Sequence, residues 1–304
     1  MIIMENAKDF TALQCKNITK KYKEKEVLHN IDLTIEPGKI YGLIGRNGAG
    51  KTTLLSILSA QCPATSGNIS LGEETVWENQ KSLSHICFSR ELNPVADSAI
   101  ASMKVKDYLK AASIYYPGWD NEMAQRLMKT FELEAGKKIL KLSKGMLSML
   151  TIILALASKA EYTLLDEPVA GLDVFMRDKF YKLLLEEYDK TGRTFLISTH
   201  IIDEASPIFE DVIILKDGAI LLKENTEELL SRALHISGRE DAVDAAVKNL
   251  KTYHPERVGR SKGVTVLMDH GQEFRPDGDL SVQPVSLQNP VSYTHLTLPT
   301  TTRV

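Results

Sequence analysis

The sequence predicts an α/β fold with a mixed sheet core, because short apolar runs alternate with segments of helical spacing. Three runs have the composition of buried strands: KIYGLIG at 39–45, YTLLD at 162–166 and TFLIST at 194–199. The first leads directly into a glycine-rich turn. From Gly50 onward, GKTTLLSILSA has the apolar spacing of a helix. Strand, glycine turn and helix in this order are typical of a parallel α/β core.

The remaining chain divides into three further parts. VIILKDGAILL, at 212–222, predicts a hairpin that turns at Asp217 and Gly218. The pattern turns helical between 105 and 159, so we place a helical insertion at about 92–160 inside a domain of residues 10–230. HISGREDAVDAAVKNLK followed by GVTVLMD predicts a small α/β appendage at 231–290.

The last residues match a sequencing adapter. VSYTHLTLPT, at 291–300, is encoded by GTC TCT TAT ACA CAT CTG ACG CTG CCG ACG, the adapter of transposase-based libraries. We therefore expect residues 291–304 to be adapter read-through and the appendage to be truncated. The alternative is a threonine-rich disordered tail.

Composition limits the classes of function. The chain has 304 residues, of which 43% are hydrophobic and 25% charged, as in ordinary globular proteins. Its net charge of −3 gives no sign of a nucleic-acid partner. The cysteines are scattered, which predicts reduced thiols and not a metal site. The most apolar stretch after the N-terminal segment, TIILALA at 151–157, is far shorter than the ~20 residues that cross a bilayer. Any membrane role would therefore need a partner.

GRNGAGKT, at 45–52, fits the phosphate-binding pattern G-x-x-x-x-G-K-[ST] between a strand and a helix. Glycines let backbone N–H groups surround phosphates, and the helix N-terminus adds partial positive charge. Lys51 would reach the β- and γ-phosphates, and the Thr52 hydroxyl would coordinate Mg²⁺. The residues assigned to nucleotide binding in this segment are Gly45, Asn47, Gly48, Gly50, Lys51, Thr52 and Thr53.

Two acids follow the YTLLD strand. A parallel sheet would bring Asp166 and Glu167 to the edge beside the phosphate loop. We expect Asp166 to hold Mg²⁺, directly or through water, and Glu167 to act as general base toward the attacking water. ATP and Mg²⁺ are therefore the expected ligands.

With LSKGM at 142–146, the sequence resembles the ABC ATPase family over about 13–230, which implies a P-loop NTPase fold of ABC type. The family's signature serine and glycine correspond to Ser143 and Gly145 and bind a γ-phosphate at a helix N-terminus. AGLD, at 170–173, is similar to the D-loop and contributes Asp173. His200 resembles the switch histidine that positions the catalytic water, and Tyr22 resembles the aromatic residue that stacks on adenine.

Two positions depart from the family pattern. The family has a glutamine that binds Mg²⁺ at the edge of the helical insertion, where ICFSRE places Glu91, whose carboxylate can also bind the ion. The signature ends in Met146 instead of glutamine. LSKGM and the YYPGWD segment, at 115–120, are similar to the subfamily that serves ABC-2-type exporters, including antimicrobial-peptide resistance systems.

The resemblance implies a cytoplasmic ATPase on the inner face of the membrane, which powers transport, with export favoured, through a separate membrane-spanning permease. In this family two such subunits form a head-to-tail homodimer or heterodimer. Each ATP then lies between the phosphate loop of one subunit and the signature of the other. The alternative is a soluble ABC ATPase without a transport role. Ribosome-associated members carry two cassettes and DNA-repair members a long coiled coil, whereas this chain has one cassette and no heptads in its insertion. Glu167 and His200 argue against a module without turnover.

Overall fold

The computed structural model describes residues 11–199, 205–250, 252–269, 272, 274 and 280–284. Its centre is a six-stranded sheet in the order β10-β9-β3-β8-β7-β6. The four pairings that join β9, β3, β8, β7 and β6 are parallel, and β10 is antiparallel to β9. These strands are β3 (Ile40–Ile44), β6 (Ile86–Ser89), β7 (Tyr162–Asp166), β8 (Thr194–Thr199), β9 (Asp211–Lys216) and β10 (Ala219–Asn225).

Helices cover one face of this sheet, and an antiparallel sheet together with one helix covers the other. The antiparallel sheet has the order β2-β1-β4-β5. Its strands are β1 (Leu13–Tyr22), β2 (Lys25–Ile35), β4 (Ser66–Leu71) and β5 (Glu74–Thr75). The helices of the main domain are α1 (Lys51–Leu58), α2 (Gln80–Leu83), α3 (Ser98–Ser102), α4 (Val105–Ser113), α5 (Asn121–Thr130), α6 (Lys144–Ala157), α7 (Val174–Thr191) and α8 (Thr226–Arg232), with short 3₁₀ turns at Ile139–Lys141 and Ser206–Ile208.

Burial on both faces explains why the central strands are apolar throughout. Along β8, Phe195 and Ile197 pack into the core shared with α6 and α7, whereas Leu196 packs into the core shared with α1 and the antiparallel sheet. A strand that is covered on both sides has no polar face, so it has a continuous apolar run instead of alternation. The predicted α/β class with a helical insertion is confirmed.

The predicted hairpin is also confirmed. Lys216 pairs with Ala219, and both turn residues, Asp217 and Gly218, have positive φ angles of 46° and 77°. Two positive φ values are the requirement of a tight turn that follows the natural twist of the strands. An alanine-like Cβ on Gly218 would lie 2.3 Å from the Val27 carbonyl oxygen, so the turn packs directly on β2.

The C-terminal part forms a separate antiparallel sheet in the order β12-β13-β11-β14, with one helix against it. Its elements are β11 (Ala233–Arg239), α9 (Glu240–Ala246), β12 (Thr252–Val258), β13 (Ser261–Leu267) and β14 (Ser281–Pro284). A small core that includes Ile236, Val243 and Val266 joins the helix to the sheet. The expected α/β appendage is present. Residues 291–304, the expected adapter, lie outside the described residues.

Within the described part of the chain, no helix is long and apolar enough to cross a membrane.

A buried ionic cluster attaches the helical insertion to the sheet. The Lys159 ammonium donates to both Glu187 carboxylate oxygens at 2.7 and 2.8 Å, and the Arg193 guanidinium lies 3.4 Å from the same carboxylate. Arg193 also donates to the carbonyl oxygen of Leu156 at 3.0 Å, at the C-terminal end of α6. Burial lowers the pKa of Arg193, while Glu187 acts in the opposite direction.

The YYPGWD segment packs on this cluster. Asp120 caps α5 by accepting from the Met123 N–H at 2.8 Å, and its carboxylate lies 3.6 Å from the Lys159 ammonium. A Cβ on Gly118 would lie 3.2 Å from the Lys159 Cβ, so glycine permits the close approach of the two segments. The cluster therefore joins α5, α6, α7 and β8.

We expect Glu187→Gln to reduce the free energy of unfolding by roughly 3–5 kcal/mol, because it leaves Lys159 and Arg193 without their buried counter-charge. Only 2% of the Glu187 side chain is exposed. Urea unfolding followed by circular dichroism measures the change. Glu186→Gln, the same substitution at the exposed neighbouring position, is the matched control and should be nearly neutral. Equal stability of the two variants would contradict this assignment.

Candidate nucleotide site

The glycine-rich loop connects β3 to α1 and has little room for side chains at Gly45 and Gly50. Gly48 and Gly50 have φ angles of 84° and 107°, which side-chain-bearing residues rarely adopt. A Cβ on Gly50 would lie 2.7 Å from the Leu28 Cδ2, and one on Gly45 would lie 2.5 Å from the Leu215 carbonyl oxygen. The loop therefore packs closely on the core, and its backbone turns as the motif predicts.

Lys51 begins α1 and extends back into the loop. Its ammonium donates to the Gly45 carbonyl oxygen at 2.6 Å and lies 3.7 Å from a Glu167 carboxylate oxygen. The side chain is only 6% exposed. A nearly buried cation at a helix N-terminus is a strong attractor for an anion, because the charge and the helix dipole have the same sign.

The Asp166 carboxylate joins three elements of the site. It ends β7, and its two oxygens accept hydrogen bonds from the Thr52 hydroxyl at 2.7 Å and from the Ser198 hydroxyl at 2.6 Å. Asp166 and Ser198 are partners in the parallel β7–β8 pairing. The start of α1 and the ends of two central strands are thus fixed to one carboxylate.

Glu167 follows with an unusual backbone conformation. Its φ angle is 49°, and its N–H donates to the Ser198 hydroxyl oxygen at 3.1 Å and to the Ser198 carbonyl oxygen at 3.2 Å. A positive φ on a residue other than glycine is uncommon. The residue lines a cavity of about 340 Å³. The other lining residues are Lys25, Val27, Arg46, Asn47, Gly48, Gly50, Lys51, Thr52 and Thr53.

Tyr22 lies at the end of β1, beside the start of α1. Its hydroxyl is 3.5 Å from the Cys62 sulfur, and the Lys20 ammonium is 4.8 Å from its ring centroid. The hydrogen bond with Cys62 raises the pKa of Tyr22, while one with Thr53 acts in the opposite direction. About half of the side chain is exposed. The ring is therefore anchored by its hydroxyl beside Thr53 and remains accessible.

The signature and the AGLD segment contact each other within the chain. Ser143 caps α6 by accepting from the Met146 N–H at 3.3 Å, and a Cβ on Gly145 would lie 2.8 Å from the Gly171 carbonyl oxygen. Asp173 caps α7 by accepting from the Met176 N–H at 2.8 Å. Ser143, Gly145 and Asp173 thus form one group, while the loop, Asp166 and Glu167 form another.

Glu91 and His200 are the other two residues predicted for the site. Glu91, two residues beyond β6, pairs its carboxylate with the Lys144 ammonium at 3.1 Å. His200 lies outside the described residues, and so do the contacts expected of it. Among the residues that the structure describes, no cluster of three or more His, Cys, Asp or Glu could hold a metal ion.

Comparison with known proteins identifies the family. The protein-family model described as "ABC transporter" matches residues 28–170 of this chain. The uncharacterized ABC transporter ATP-binding protein YcbN of Bacillus subtilis is 32% identical over 224 residues, which cover 71% of this chain and 70% of that protein. The taurine import ATP-binding protein TauB of Escherichia coli O157:H7 is 32% identical over 212 residues, which cover 68% of this chain and 80% of that protein. The chain belongs to the ABC transporter ATP-binding protein family.

Solved structures agree with this placement. The dimeric structure of a bacterial ABC transporter cassette superimposes with a TM-score of 0.60 at 27% identity, covering 70% of this chain and 98% of that one. A post-hydrolysis state bound to ADP and Pi gives a TM-score of 0.60 at 26% identity. The P-loop fold of ABC type is confirmed. As a member of this family, the chain is a nucleotide-binding ATPase.

Sequence reasoning missed one residue of the ABC site, Ser198. Its hydroxyl bridges Asp166 and the Glu167 N–H, so it fixes the two acids relative to each other. The available signal was a serine inside TFLIST, a run that is buried at every position of β8. A buried hydroxyl needs a partner, and the adjacent strand in a parallel sheet supplies it.

We expect Ser198→Ala to lower kcat for ATP hydrolysis by roughly tenfold with little change in ATP affinity, because Asp166 and Glu167 lose a shared hydrogen bond. A coupled-enzyme assay and equilibrium binding of ATP measure the two quantities. Ser158→Ala is the matched control, because Ser158 is equally buried but bonds to the Ala155 carbonyl oxygen at the far end of α6. A kcat equal to that of this control would show that the Ser198 bridge is dispensable.

Proposed function

We propose that this chain hydrolyses Mg²⁺–ATP at the 45–52 loop and uses the energy to drive export through a separate membrane-spanning protein. The observation that carries the ATPase mechanism is the convergence of Lys51, Thr52, Asp166 and Glu167 at one loop. These groups come from two separate stretches of the chain, at 51–52 and 166–167.

Lys51 and the loop backbone supply the phosphate site. The ammonium already lies inside the loop, where it contacts carbonyl oxygens of Gly45 and Arg46. Phosphate oxygens are stronger acceptors for an ammonium than neutral carbonyls, because the hydrogen bond is assisted by charge on both sides. We infer that Lys51, together with the N–H groups of the loop, binds the β- and γ-phosphates.

The oxygen pair of Thr52 and Asp166 fits Mg²⁺. The ion prefers oxygen ligands at 2.0–2.1 Å in an octahedron, whose neighbouring ligands lie about 2.9 Å apart. The Thr52 hydroxyl and an Asp166 oxygen are 2.7 Å apart, close to that separation. When bound, the cation would neutralise charge on the phosphates. Thr52 and Asp166 would hold it, with Glu91 as a third oxygen source.

Glu167 is the proposed general base. Its N–H is bound by Ser198, and its carboxylate faces the cavity beside Lys51. A carboxylate in this position can accept a proton from an attacking water. We propose that His200 helps to position this water and that the exposed ring of Tyr22 stacks on adenine.

The exposed arrangement of the signature supports a dimeric site. Ser143 and Gly145 lie at the N-terminal end of α6, where backbone N–H groups and the helix dipole favour an anion. We propose that each subunit places this end against the nucleotide in the loop of its partner. Asp173 and the neighbouring AGLD backbone would couple the two sites. A second copy of this chain, or a related subunit, can complete the dimer.

The direction of transport is proposed from sequence. The signature LSKGM and the YYPGWD segment resemble ABC-2-type exporter subunits. We place the protein on the cytoplasmic face of the membrane, where a separate permease would hold it.

We expect Glu167→Gln to bind ATP with unchanged affinity, within about threefold, and to reduce kcat by at least about 100-fold, because the amide cannot accept the proton from water. Equilibrium binding and single-turnover hydrolysis measure the two effects. Glu161→Gln makes the same change at the other end of β7, where Glu161 pairs with His85 at 3.1 Å, and should hydrolyse ATP normally. Normal turnover by Glu167→Gln would remove Glu167 from the mechanism.

The transport proposal predicts a membrane protein encoded near this chain. A long sequencing read across the native locus should reveal an adjacent gene with roughly six apolar stretches of ~20 residues each. The same read reports whether the locus encodes VSYTHLTLPT. A locus without such a neighbour would favour a soluble ABC ATPase or a partner encoded elsewhere.

A further inference from the structure

Lys144 connects three parts of the cassette that carry separate roles. It is the first residue of α6 and belongs to the signature. A Cβ on Gly171 would lie 2.7 Å from the Lys144 Cγ, so the stem of the lysine packs on the AGLD segment. Its ammonium reaches the Glu91 carboxylate at 3.1 Å, at the boundary between the sheet and the helical insertion. The signature, the AGLD segment and Glu91 therefore meet at one side chain.

Another ion can take the place of either partner in this ion pair. A lysine at the beginning of a helix is disfavoured by the positive end of the helix dipole, so an anion at that position relieves the repulsion. Glu91 provides the anion in this structure. Both partners are largely solvated, with 52% of Glu91 and 57% of Lys144 exposed. Pairs with such exposure contribute little to stability, so a stronger competitor can exchange with either partner.

Nucleotide binding would supply a competitor for each partner. Glu91 lies two residues after Ser89, which pairs with Leu165 in the sheet, so Glu91 follows the same sheet edge as Asp166. A divalent cation at Thr52 and Asp166 competes with an ammonium for a nearby carboxylate. The terminal phosphate of ATP, held across a dimer, competes with Glu91 for Lys144 at the α6 N-terminus.

We propose that the Glu91–Lys144 ion pair is a latch that holds the signature to the sheet edge and opens when Mg²⁺–ATP binds. Lys144 is thus a positioning residue for the signature before the dimer closes. The inference rests on the proposed function, since it needs Mg²⁺–ATP at the 45–52 loop. It gives a role to Lys144, the charged residue of the LSKGM signature, and to Glu91 at the end of ICFSRE.

A double-mutant cycle on amide exchange tests the latch. The variants are Glu91→Gln, Lys144→Gln, their combination and the charge reversal Glu91→Lys with Lys144→Glu, all in a Glu167→Gln background that prevents turnover. The reporters are the amides of Met146 and Leu147, which bond to Ser143 at the start of α6. Exchange is measured by mass spectrometry without nucleotide, with Mg²⁺–ATP and with ATP plus a chelator. ATP binding is measured in the same samples.

Without nucleotide, Glu91→Gln should speed exchange about two- to fivefold when Lys144 is present and should have no effect in the Lys144→Gln background, because Lys144→Gln removes both the ion pair and the repulsion by the helix dipole. The charge reversal should exchange no faster than the parent, because it restores an ion pair and places an acid at the positive end of the dipole. With Mg²⁺–ATP the coupling between positions 91 and 144 should disappear, and with ATP plus chelator it should persist at least in part. The control pair is Asp178 and Lys182, a surface ion pair of 2.8 Å on α7. Its coupling, reported by exchange within α7, should not respond to nucleotide.

Two results would overturn the latch while leaving the ATPase assignment intact. One is additive effects of the single variants without nucleotide. The other is coupling that stays unchanged when Mg²⁺–ATP is bound. Failure of ATP to bind at all would be seen directly in the binding measurement, and it would overturn the proposed function together with the latch.

Discussion

The hydrogen bonds made by the Asp166 carboxylate are the contacts on which the rest of the site depends. One oxygen holds the Thr52 hydroxyl at the start of α1, and the other holds the Ser198 hydroxyl at the end of β8. Ser198 in turn accepts from the Glu167 N–H. A charged acceptor makes these bonds stronger than neutral ones, and its near burial limits competition from water. The loop and the proposed general base are therefore positioned by a single side chain.

This arrangement is possible because the central sheet is covered on both faces. Helices and the antiparallel sheet bury the strands, so polar groups concentrate at the strand ends. In parallel sheets the carboxyl ends of the strands meet at one edge, and ligands bind there. The buried cluster of Lys159, Glu187 and Arg193 attaches α6 to α7 and β8 at the opposite end of the helix from the signature. The signature is thus carried on a helix that is anchored at its far end.

The sequence predicted those parts of the fold whose physics is local. The strands at 40–44, 162–166 and 194–199 are continuous apolar runs because both their faces are buried. Asp217 and Gly218 predict the hairpin turn, and the glycines with Lys51 predict the phosphate-binding loop at 45–52. Such features depend on residues that are close together in the chain, so composition and spacing are sufficient to find them.

Contacts between distant segments could not be predicted in this way. The bond from Ser198 to Asp166 depends on the register of two parallel strands, and the pairing of Glu91 with Lys144 depends on how the insertion packs on the sheet. Gly145 and Gly171 appeared as motif positions, but their close approach becomes visible only when α6 and the AGLD segment are placed together. Register and packing are properties of the tertiary structure, and a single sequence does not specify them by spacing.

We propose that one nucleotide is bound between the 45–52 loop of one subunit and the signature of another. A crystal structure of Glu167→Gln with Mg²⁺–ATP tests it most directly. We expect the triphosphate inside the loop around Lys51, the cation at Thr52 and Asp166, and Ser143 of the partner subunit facing the γ-phosphate. A triphosphate bound outside the loop, or a dimer with both signatures remote from nucleotide, would contradict it.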